Sequence, residues 1–172
     1  LEDVTRADID GFVMPFVCEL VRRSEQVAPD MHVKIRLCDT MGFGIPTPGV
    51  ELPRSIPKLI YRMTHDGGMP PECLEWHGHN DFHKVHANGA TAWLYGCNAL
   101  NSTLFGFGER TGNPPLEGAI IEYIGLKGDL CGIDTHMIQE IADYMTSLGV
   151  DIPHNYPFVG RDFNTTRAGI HA

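Results

Sequence analysis

A short strand, a polar or glycine-rich loop and an amphipathic helix recur in series along this chain of 172 residues. Alternating or apolar runs predict strands at 33–37, 74–76 and 102–105, and a helical pattern follows each strand. Another helical pattern precedes the first strand, with an apolar stripe at Phe12, Phe16, Val17, Leu20 and Val21. Strands that alternate with helices form parallel sheets. We therefore predict four strand–helix units, the first of which has lost most of its strand.

The four units predict half of an α/β barrel. Polar residues follow each strand at its C-terminal end, where such barrels place their active sites. A complete (β/α)8 TIM barrel takes about 250 residues, so residues 1–128 have room for half of one. After Gly128 the pattern changes to one long helix, from Asp134 to a glycine stop at Gly149, and then to an extended linker or lid. We expect a catalytic fragment at 1–128, a helix-and-linker segment at 129–172, and a longer parent protein.

Charge and cysteine usage exclude several classes of protein. The net charge of −9 argues against nucleic-acid or anionic membrane partners. No apolar run approaches the roughly 18 residues that a membrane span needs. The five cysteines are odd in number and include no C-x-x-C pair, which favours a reduced cytoplasmic protein over a disulfide framework or zinc ribbon.

The pattern His77-Gly78-His79 follows the second predicted strand. Side chains alternate between the two faces of a strand, so both imidazoles point to the same side. Neutral imidazole is a common ligand of divalent metals, and Asp81 can support the loop behind it. A His-x-His pair is also compatible with two ordinary polar residues at a strand end, and from these residues alone the two readings stay about equal. His83 and His86 fall at a helix start, where we expect them to face solvent.

A glycine-rich loop at 106–113 follows the last predicted strand and carries Glu109, Arg110 and Asn113. It lacks the Lys-Ser/Thr ending of a P-loop and is not a dinucleotide fingerprint. Taken alone, Glu109 and Arg110 fit a surface pair, and Asn113 before two prolines fits a turn or helix cap.

The two motifs together, His77-Gly78-His79-Asn80-Asp81 and Gly108-Glu109-Arg110-Thr111-Gly112-Asn113, resemble the 2-isopropylmalate synthase and homocitrate synthase family. This family belongs to a metal-dependent Claisen-condensing superfamily that includes hydroxymethylglutaryl-CoA lyase. The first residues, 1–6, and the last, 164–171, also resemble family segments. The resemblance thus covers essentially the whole chain and implies the C-terminal half of a TIM barrel.

The resemblance implies a role for each matching residue. The metal ligands would be His77, His79 and Asn113. The substrate-binding residues would be Thr40, on the keto acid carboxylate, and Arg110, on the acetyl-CoA side. The catalytic residues would be Glu2, Glu109 and His171, the last in proton transfer. The family's first-strand arginine and acidic metal ligand would lie upstream of Leu1, and Phe82-His83-Lys84 departs from the family pattern, which puts the choice of keto acid in doubt.

The reaction implied by the resemblance is a Claisen condensation of acetyl-CoA with a 2-keto acid, assisted by a divalent ion (Zn, Mn or Mg). A 2-isopropylmalate synthase type of acyltransferase, forming a homodimer, is the first expectation. Homocitrate synthase and Re-citrate synthase are its alternatives. Of other classes, we keep a lyase that cleaves a related C–C bond, and a non-enzymatic assembly domain. We expect the isolated chain to be inactive or to fold only by pairing with a second copy.

Overall fold

A computed structural model describes residues 1–166 and shows a three-stranded parallel sheet accompanied by helices. The strands are β1 (Ile35–Asp39), β2 (Leu74–Gly78) and β3 (Ala99–Leu100), in that order across the sheet. Both strand pairs are parallel. The α-helices are α1 (Met14–Val27), α2 (Ile56–Tyr61), α3 (Val85–Tyr95), α4 (Leu116–Lys127) and α5 (His136–Ser147). The α/β fold class is therefore confirmed.

Short 3-10 and π-helices fill several of the connections. The 3-10 helices are Val4–Arg6, Pro71–Cys73 and Leu104–Gly106, and the π-helices are Ile9–Val13 and Arg62–Asp66. The side chain of Asp8 accepts a hydrogen bond from the Gly11 amide at 2.8 Å and so caps the helix Ile9–Val13.

Two strand positions differ from the prediction. β1 is displaced from 33–37 to Ile35–Asp39, because the ladder begins where Ile35 pairs with Leu74. The last strand is Ala99–Leu100, and the predicted strand at 102–105 was wrong. There the Phe105 amide donates to the buried Glu117 carboxylate at 3.0 Å, and Phe105 has a left-handed φ of 52°. A residue in that conformation turns the chain out of an extended ladder.

The first unit retains one residue of strand character. The amino group of Leu1 donates to the Arg36 carbonyl at 2.7 Å, and the Cys38 amide donates to the Leu1 carbonyl at 3.0 Å. This is the hydrogen-bond pattern of a parallel bridge, made on the edge of β1 away from β2. The segment with the 3-10 helix Val4–Arg6 follows Leu1 in the chain, as a loop follows each of β1 and β2.

The hydrophobic core lies between the sheet and the helices. Its fully buried side chains include Leu37 of β1, Trp76 of β2, Leu59 and Ile60 of α2, and Val17 of α1. The predicted stripe on the first helix was wrong at Phe12 and Phe16, which are 61% and 42% exposed and stack on each other with centroids 5.8 Å apart. The π-helical turn before α1 rotates the face that is buried, so the core receives Ile9, Val13 and Met14 in place of the two phenylalanines, while Val17 is buried as predicted.

The chain divides into two compact units, Leu1–Leu126 and Lys127–Ala172. The sheet and α1–α3 belong to the first unit. In the second unit α5 carries a buried Ala142, and Gly149 follows its end with a left-handed φ of 86°, as a C-terminal glycine stop requires. Within residues 1–166, no helix has the length and apolar character needed to cross a bilayer.

Candidate metal centre

Two imidazoles meet at the carboxyl end of β2. His77 is the penultimate residue of that strand, and His79 follows its last residue, Gly78. Their Nε2 atoms lie 3.2 Å apart, and their ring planes make an angle of 85°. His79 is buried, with 7% of its surface exposed. The structure thus brings His77 and His79 together, as the two-residue period of a strand predicted.

The amide of Asn101 orients the His77 ring. Its Oδ1 lies 2.8 Å from His77 Nδ1. A carbonyl oxygen only accepts hydrogen bonds, so Nδ1 is the donor in this contact, and in the neutral ring Nε2 then carries the lone pair on the side of His79. Asn101 directly follows β3, and the sequence analysis missed it. It precedes the strand predicted at 102–105, and only the observed position of β3 at Ala99–Leu100 places it after a strand.

The His79 imidazole is kept in the neutral form. Burial lowers its pKa below the ordinary value, and the positive charge of Arg110 and the neighbouring His77 act in the same direction. The His79 Nδ1 atom is buried and has no hydrogen-bond partner among the residues that the structure describes. A neutral imidazole is the form that coordinates a metal.

The separation of the two Nε2 atoms fits a shared divalent ion. With metal–nitrogen bonds of about 2.1 Å, two nitrogens on adjacent coordination positions lie roughly 3.0–3.4 Å apart. No group of three His, Cys, Asp or Glu side chains converges within the described part of the chain. The histidine pair therefore needs ligands of another type, such as an amide oxygen, or ligands from outside these residues.

Asn113 is the amide that the glycine-rich loop brings to this edge. The Asn80 amide donates to the Gly112 carbonyl at 2.9 Å, so the loop is fastened to the residue after His79. The Asn113 side chain is buried against Gly108, where an added Cβ would lie 1.7 Å from Oδ1. Gly112 has a φ of 100°, a conformation that favours glycine. The close packing at position 108 and the positive φ at position 112 explain why glycine occupies both positions.

Arg110 ties three loops together. It contacts the Asp81 carboxylate through Nε at 2.9 Å and through Nη2 at 3.1 Å, and Nη2 also donates to the Thr40 carbonyl. These loops follow β1, β2 and β3. Hydrogen bonding to Arg110 is the main cause that lowers the pKa of the Asp81 carboxyl. Arg110 is thus engaged within the chain, where the resemblance implied a contact with substrate.

Thr40 and Glu2 lie in direct contact. The Thr40 hydroxyl donates to Glu2 Oε2 at 2.8 Å and accepts from the Asp3 amide at 2.7 Å. The side chain of Glu109 is 84% exposed. His171 lies outside the described residues. The roles of all these residues stay predictions.

A buried carboxylate, which the sequence analysis missed, holds the loop after β1. Asp39 is 1% exposed, and its Oδ1 accepts from the Thr5 hydroxyl at 2.6 Å. Its Oδ2 accepts from the Gly44 amide at 3.0 Å and from Asn88 Nδ2 at 3.3 Å. The Asp39 carbonyl also receives the His79 amide at 3.3 Å. An asparagine inside the apolar pattern of α3 was the signal for such a buried network.

The chain is similar to proteins of known name. The HMGL-like family model matches residues 2–145. "Citrate (Re)-synthase" of Syntrophus aciditrophicus is 59% identical over 99% of this chain and 27% of its own length. "Citrate (Re)-synthase" of Clostridium kluyveri is 50% identical over 100% of this chain and 38% of its own length. "2-isopropylmalate synthase 2" of Caldanaerobacter subterraneus is 32% identical over 99% of this chain and 40% of its own length.

A solved HMG-CoA lyase from Acenitobacter baumannii, in complex with coenzyme A and 3-methylmalate, has a TM-score of 0.58 to this chain at 20% identity. The match covers 91% of this chain and 47% of that structure, and it shows the fold. The chain spans between about a quarter and two fifths of the length of the curated relatives named above.

Proposed function

We propose, since this chain belongs to the HMGL-like family, that its parent protein is an acyltransferase that condenses acetyl-CoA with oxaloacetate to give citrate. The observation that carries the general reaction is the pair of facing imidazoles of His77 and His79, with Nε2 atoms 3.2 Å apart, at the sheet edge to which the loop of the buried Asn113 is fastened. The proposed divalent ion, zinc, manganese or magnesium, would be bound by His77, His79 and Asn113, and would polarise the ketone as a Lewis acid.

The choice of oxaloacetate follows from the relatives. The two citrate (Re)-synthases are 59% and 50% identical to the chain, whereas the 2-isopropylmalate synthase is 32% identical. The first expectation, a 2-isopropylmalate synthase type, therefore has less support than its alternative, the Re-citrate synthase. Oxaloacetate and 2-ketoisovalerate, the keto acid of a 2-isopropylmalate synthase, differ in the group on the keto carbon. This group is an anionic carboxymethyl in oxaloacetate and an apolar isopropyl in 2-ketoisovalerate.

The polar residues at the mouth suggest how the keto acid would be oriented. The Thr40 hydroxyl accepts from the Asp3 amide, which leaves its own proton as a donor. In the free chain that proton goes to Glu2. We propose that the carboxylate of the keto acid takes this hydrogen bond in the complex, while Arg110 and Asp81 keep the loops in place around it.

In this proposal Glu2 is the first candidate for the base that accepts a proton from acetyl-CoA. A base removes a proton from the methyl group of acetyl-CoA, and the resulting carbanion attacks the keto carbon. The ketone oxygen is then protonated, and water hydrolyses the thioester to release CoA. Glu2 contacts the same hydroxyl that would orient the acid. Glu109 reaches into solvent, so we assign it to the acetyl-CoA entrance, and His171 stays a further proposed proton carrier.

The test is a substrate comparison on the full-length protein. Purified enzyme is mixed with acetyl-CoA and one keto acid at a time (oxaloacetate, 2-ketoisovalerate, pyruvate or 2-ketoglutarate), and free CoA is measured with a thiol reagent. Release with oxaloacetate, and formation of citrate, supports the proposal. Release with 2-ketoisovalerate alone would return the assignment to 2-isopropylmalate synthase. No release with any acid, in the presence of added zinc, manganese or magnesium, would refute a condensing enzyme.

The isolated chain of 172 residues is expected to be inactive on its own. The sheet has three strands, its last strand has two residues, and the Leu1 edge of β1 carries one bridged residue. Open sheet edges need another chain or another part of the same protein to cover them. We propose that the parent works as a homodimer. Zinc titration of the isolated chain with stoichiometric binding and turnover would contradict its inactivity.

A further inference from the structure

Three cationic side chains lie over two phenyl rings near the carboxyl ends of the strands. Phe43 and Phe82 have ring centroids 5.1 Å apart. The guanidinium carbons of Arg6 and Arg54 each lie 5.6 Å from the Phe43 centroid, and Lys84 Nζ lies 5.6 Å from the Phe82 centroid. These five residues form one continuous cluster, which we call the cationic platform.

The platform is built by three successive loops. Arg6 follows the strand-like Leu1, Phe43 and Arg54 belong to the loop after β1, and Phe82 and Lys84 belong to the loop after β2. It therefore lies at the same edge of the sheet as the histidine pair. Gly42, next to Phe43, packs so closely that an added Cβ would be 2.9 Å from the His79 carbonyl oxygen.

The charge of the platform is only partly neutralised inside the chain. Arg6 is paired with Asp3, to which its Nε donates at 3.0 Å. Arg54 and Lys84 form no ion pair with any carboxylate among residues 1–166. Two cations without a carboxylate partner thus lie over neighbouring rings in a chain of net charge −9. Phe82 is also 51% exposed, so the ring is not a core residue.

The chemistry of the platform suits a phosphorylated ligand with an aromatic base. A guanidinium that lies over a ring uses its face for the ring and keeps its N–H edge free, and this edge matches the oxygens of a phosphate. The ammonium of Lys84 supplies a second charge for the same kind of group. The exposed ring of Phe82 offers a surface on which a nucleobase stacks.

We propose that the cationic platform binds the nucleotide end of acetyl-CoA, with Arg54 and Lys84 contacting its phosphates. This inference rests on the proposed function, because acetyl-CoA is the substrate that carries an adenine and phosphates. The reacting thioester would then lie at the histidine pair, and the platform would select the thioester of CoA over shorter thioesters. Phe82-His83-Lys84, where the chain departs from the family pattern, would serve the thioester and not the keto acid.

The test uses the full-length enzyme with Arg54→Gln and Lys84→Gln, and Lys34→Gln as the matched control. Lys34 is exposed and precedes β1. Its replacement by glutamine therefore removes an equal charge at the opposite end of the sheet. For each variant, kcat/KM is measured with acetyl-CoA and with acetyl-pantetheine, which lacks the nucleotide. Loss of a charged contact to phosphate lowers the acetyl-CoA to acetyl-pantetheine ratio by roughly tenfold in R54Q and K84Q, whereas K34Q keeps the parent ratio.

Binding without reaction separates this inference from the proposed function. Adenosine 3′,5′-bisphosphate is titrated into the enzyme in a calorimeter, with no keto acid present. Weaker binding by R54Q and K84Q than by K34Q supports the platform even if no condensation is found with any acid. An unchanged ratio and unchanged binding in both variants would overturn the inference. So would a rise in KM confined to oxaloacetate, which would show that the platform binds the keto acid instead.

Discussion

The Nε2 atoms of His77 and His79 lie 3.2 Å apart, with one ring edge-on to the other. Such a contact is explained either by one proton shared between the rings or by one ion bound to both lone pairs. The His77 Nδ1 proton is committed to Asn101, which leaves the His77 Nε2 lone pair facing His79. Burial lowers the pKa of His79, which favours the neutral ring that a metal ion requires.

Replacement of either histidine is expected to abolish stoichiometric metal binding. His77→Ala and His79→Ala each remove one of two nitrogens from the site, so affinity falls by at least about a hundredfold, since even residues behind a ligand change it by 10–100-fold. The measurement is titration of the metal-free full-length protein with zinc and manganese. His83→Ala is the control, because His83 is an exposed imidazole near the same loop. Equal losses in all three variants would point to misfolding, and no loss in the first two would remove these residues as ligands.

Gly108→Ala is expected to weaken metal binding by displacing Asn113. A methyl group at position 108 would be 1.7 Å from Asn113 Oδ1, and the amide has to move to relieve the overlap. If Asn113 is a ligand, affinity falls roughly tenfold or more, and Asn113→Ala has a similar effect. Gly125→Ala in α4 is the matched control, since a Cβ there meets no atom within 4 Å. Normal affinity in both the Gly108 and Asn113 variants would show that the amide is not a ligand.

Much of the fold was predictable because the apolar pattern records which faces are buried. Strand β2 and helix α3 lie where the pattern placed them, and the strand period predicted that His77 and His79 share a face. Phe12 and Phe16 were misassigned because the extra residue in a π-helical turn shifts the buried face, and no apolar spacing records that turn. The 102–105 segment was misassigned because Phe105 adopts a left-handed conformation stabilised by a tertiary bond to Glu117.

The sequence motifs supplied the candidate ligands, whereas the residues that support them were not predicted. The two motifs pointed to the histidine pair and to Asn113, whose loop the structure ties to Asn80. The supports Asn101, Asp39 and Asn88 act through contacts between residues 24 to 49 positions apart. Such contacts depend on which loops become neighbours at the sheet edge, and a single sequence does not record that.

Asp39→Asn is expected to destabilise the protein by about 1–3 kcal/mol, because the buried amide offers one acceptor oxygen and no charge where the carboxylate offers two charged acceptors. The Asp39 oxygens accept from the Thr5 hydroxyl and the Gly44 amide; an NH2 group facing Gly44 would meet a donor, and one facing Thr5 would force that hydroxyl to become the acceptor. The measurement is the free energy of unfolding in urea. Asp30→Asn makes the same chemical change at an exposed position and is expected to have little effect. A loss of less than half a kcal/mol, within the range of surface substitutions, would show that the network is not required.

Cys97 is expected to resist alkylation in the native protein over the whole neutral and moderately alkaline range. Burial raises the pKa of its thiol to about 12, and the nearby charge of Glu75 acts in the same direction. The thiolate is the reactive form, so the rate at Cys97 rises with pH only as that value is approached. Iodoacetamide labelling read residue by residue by mass spectrometry at pH 7, 8 and 9 is expected to modify the exposed Cys18 and Cys131 first. Labelling in denaturant is the control and modifies Cys97 as well. Fast native labelling of Cys97 at pH 8, with Cys18 and Cys131 no faster, would contradict the burial of Cys97 in the hydrophobic core.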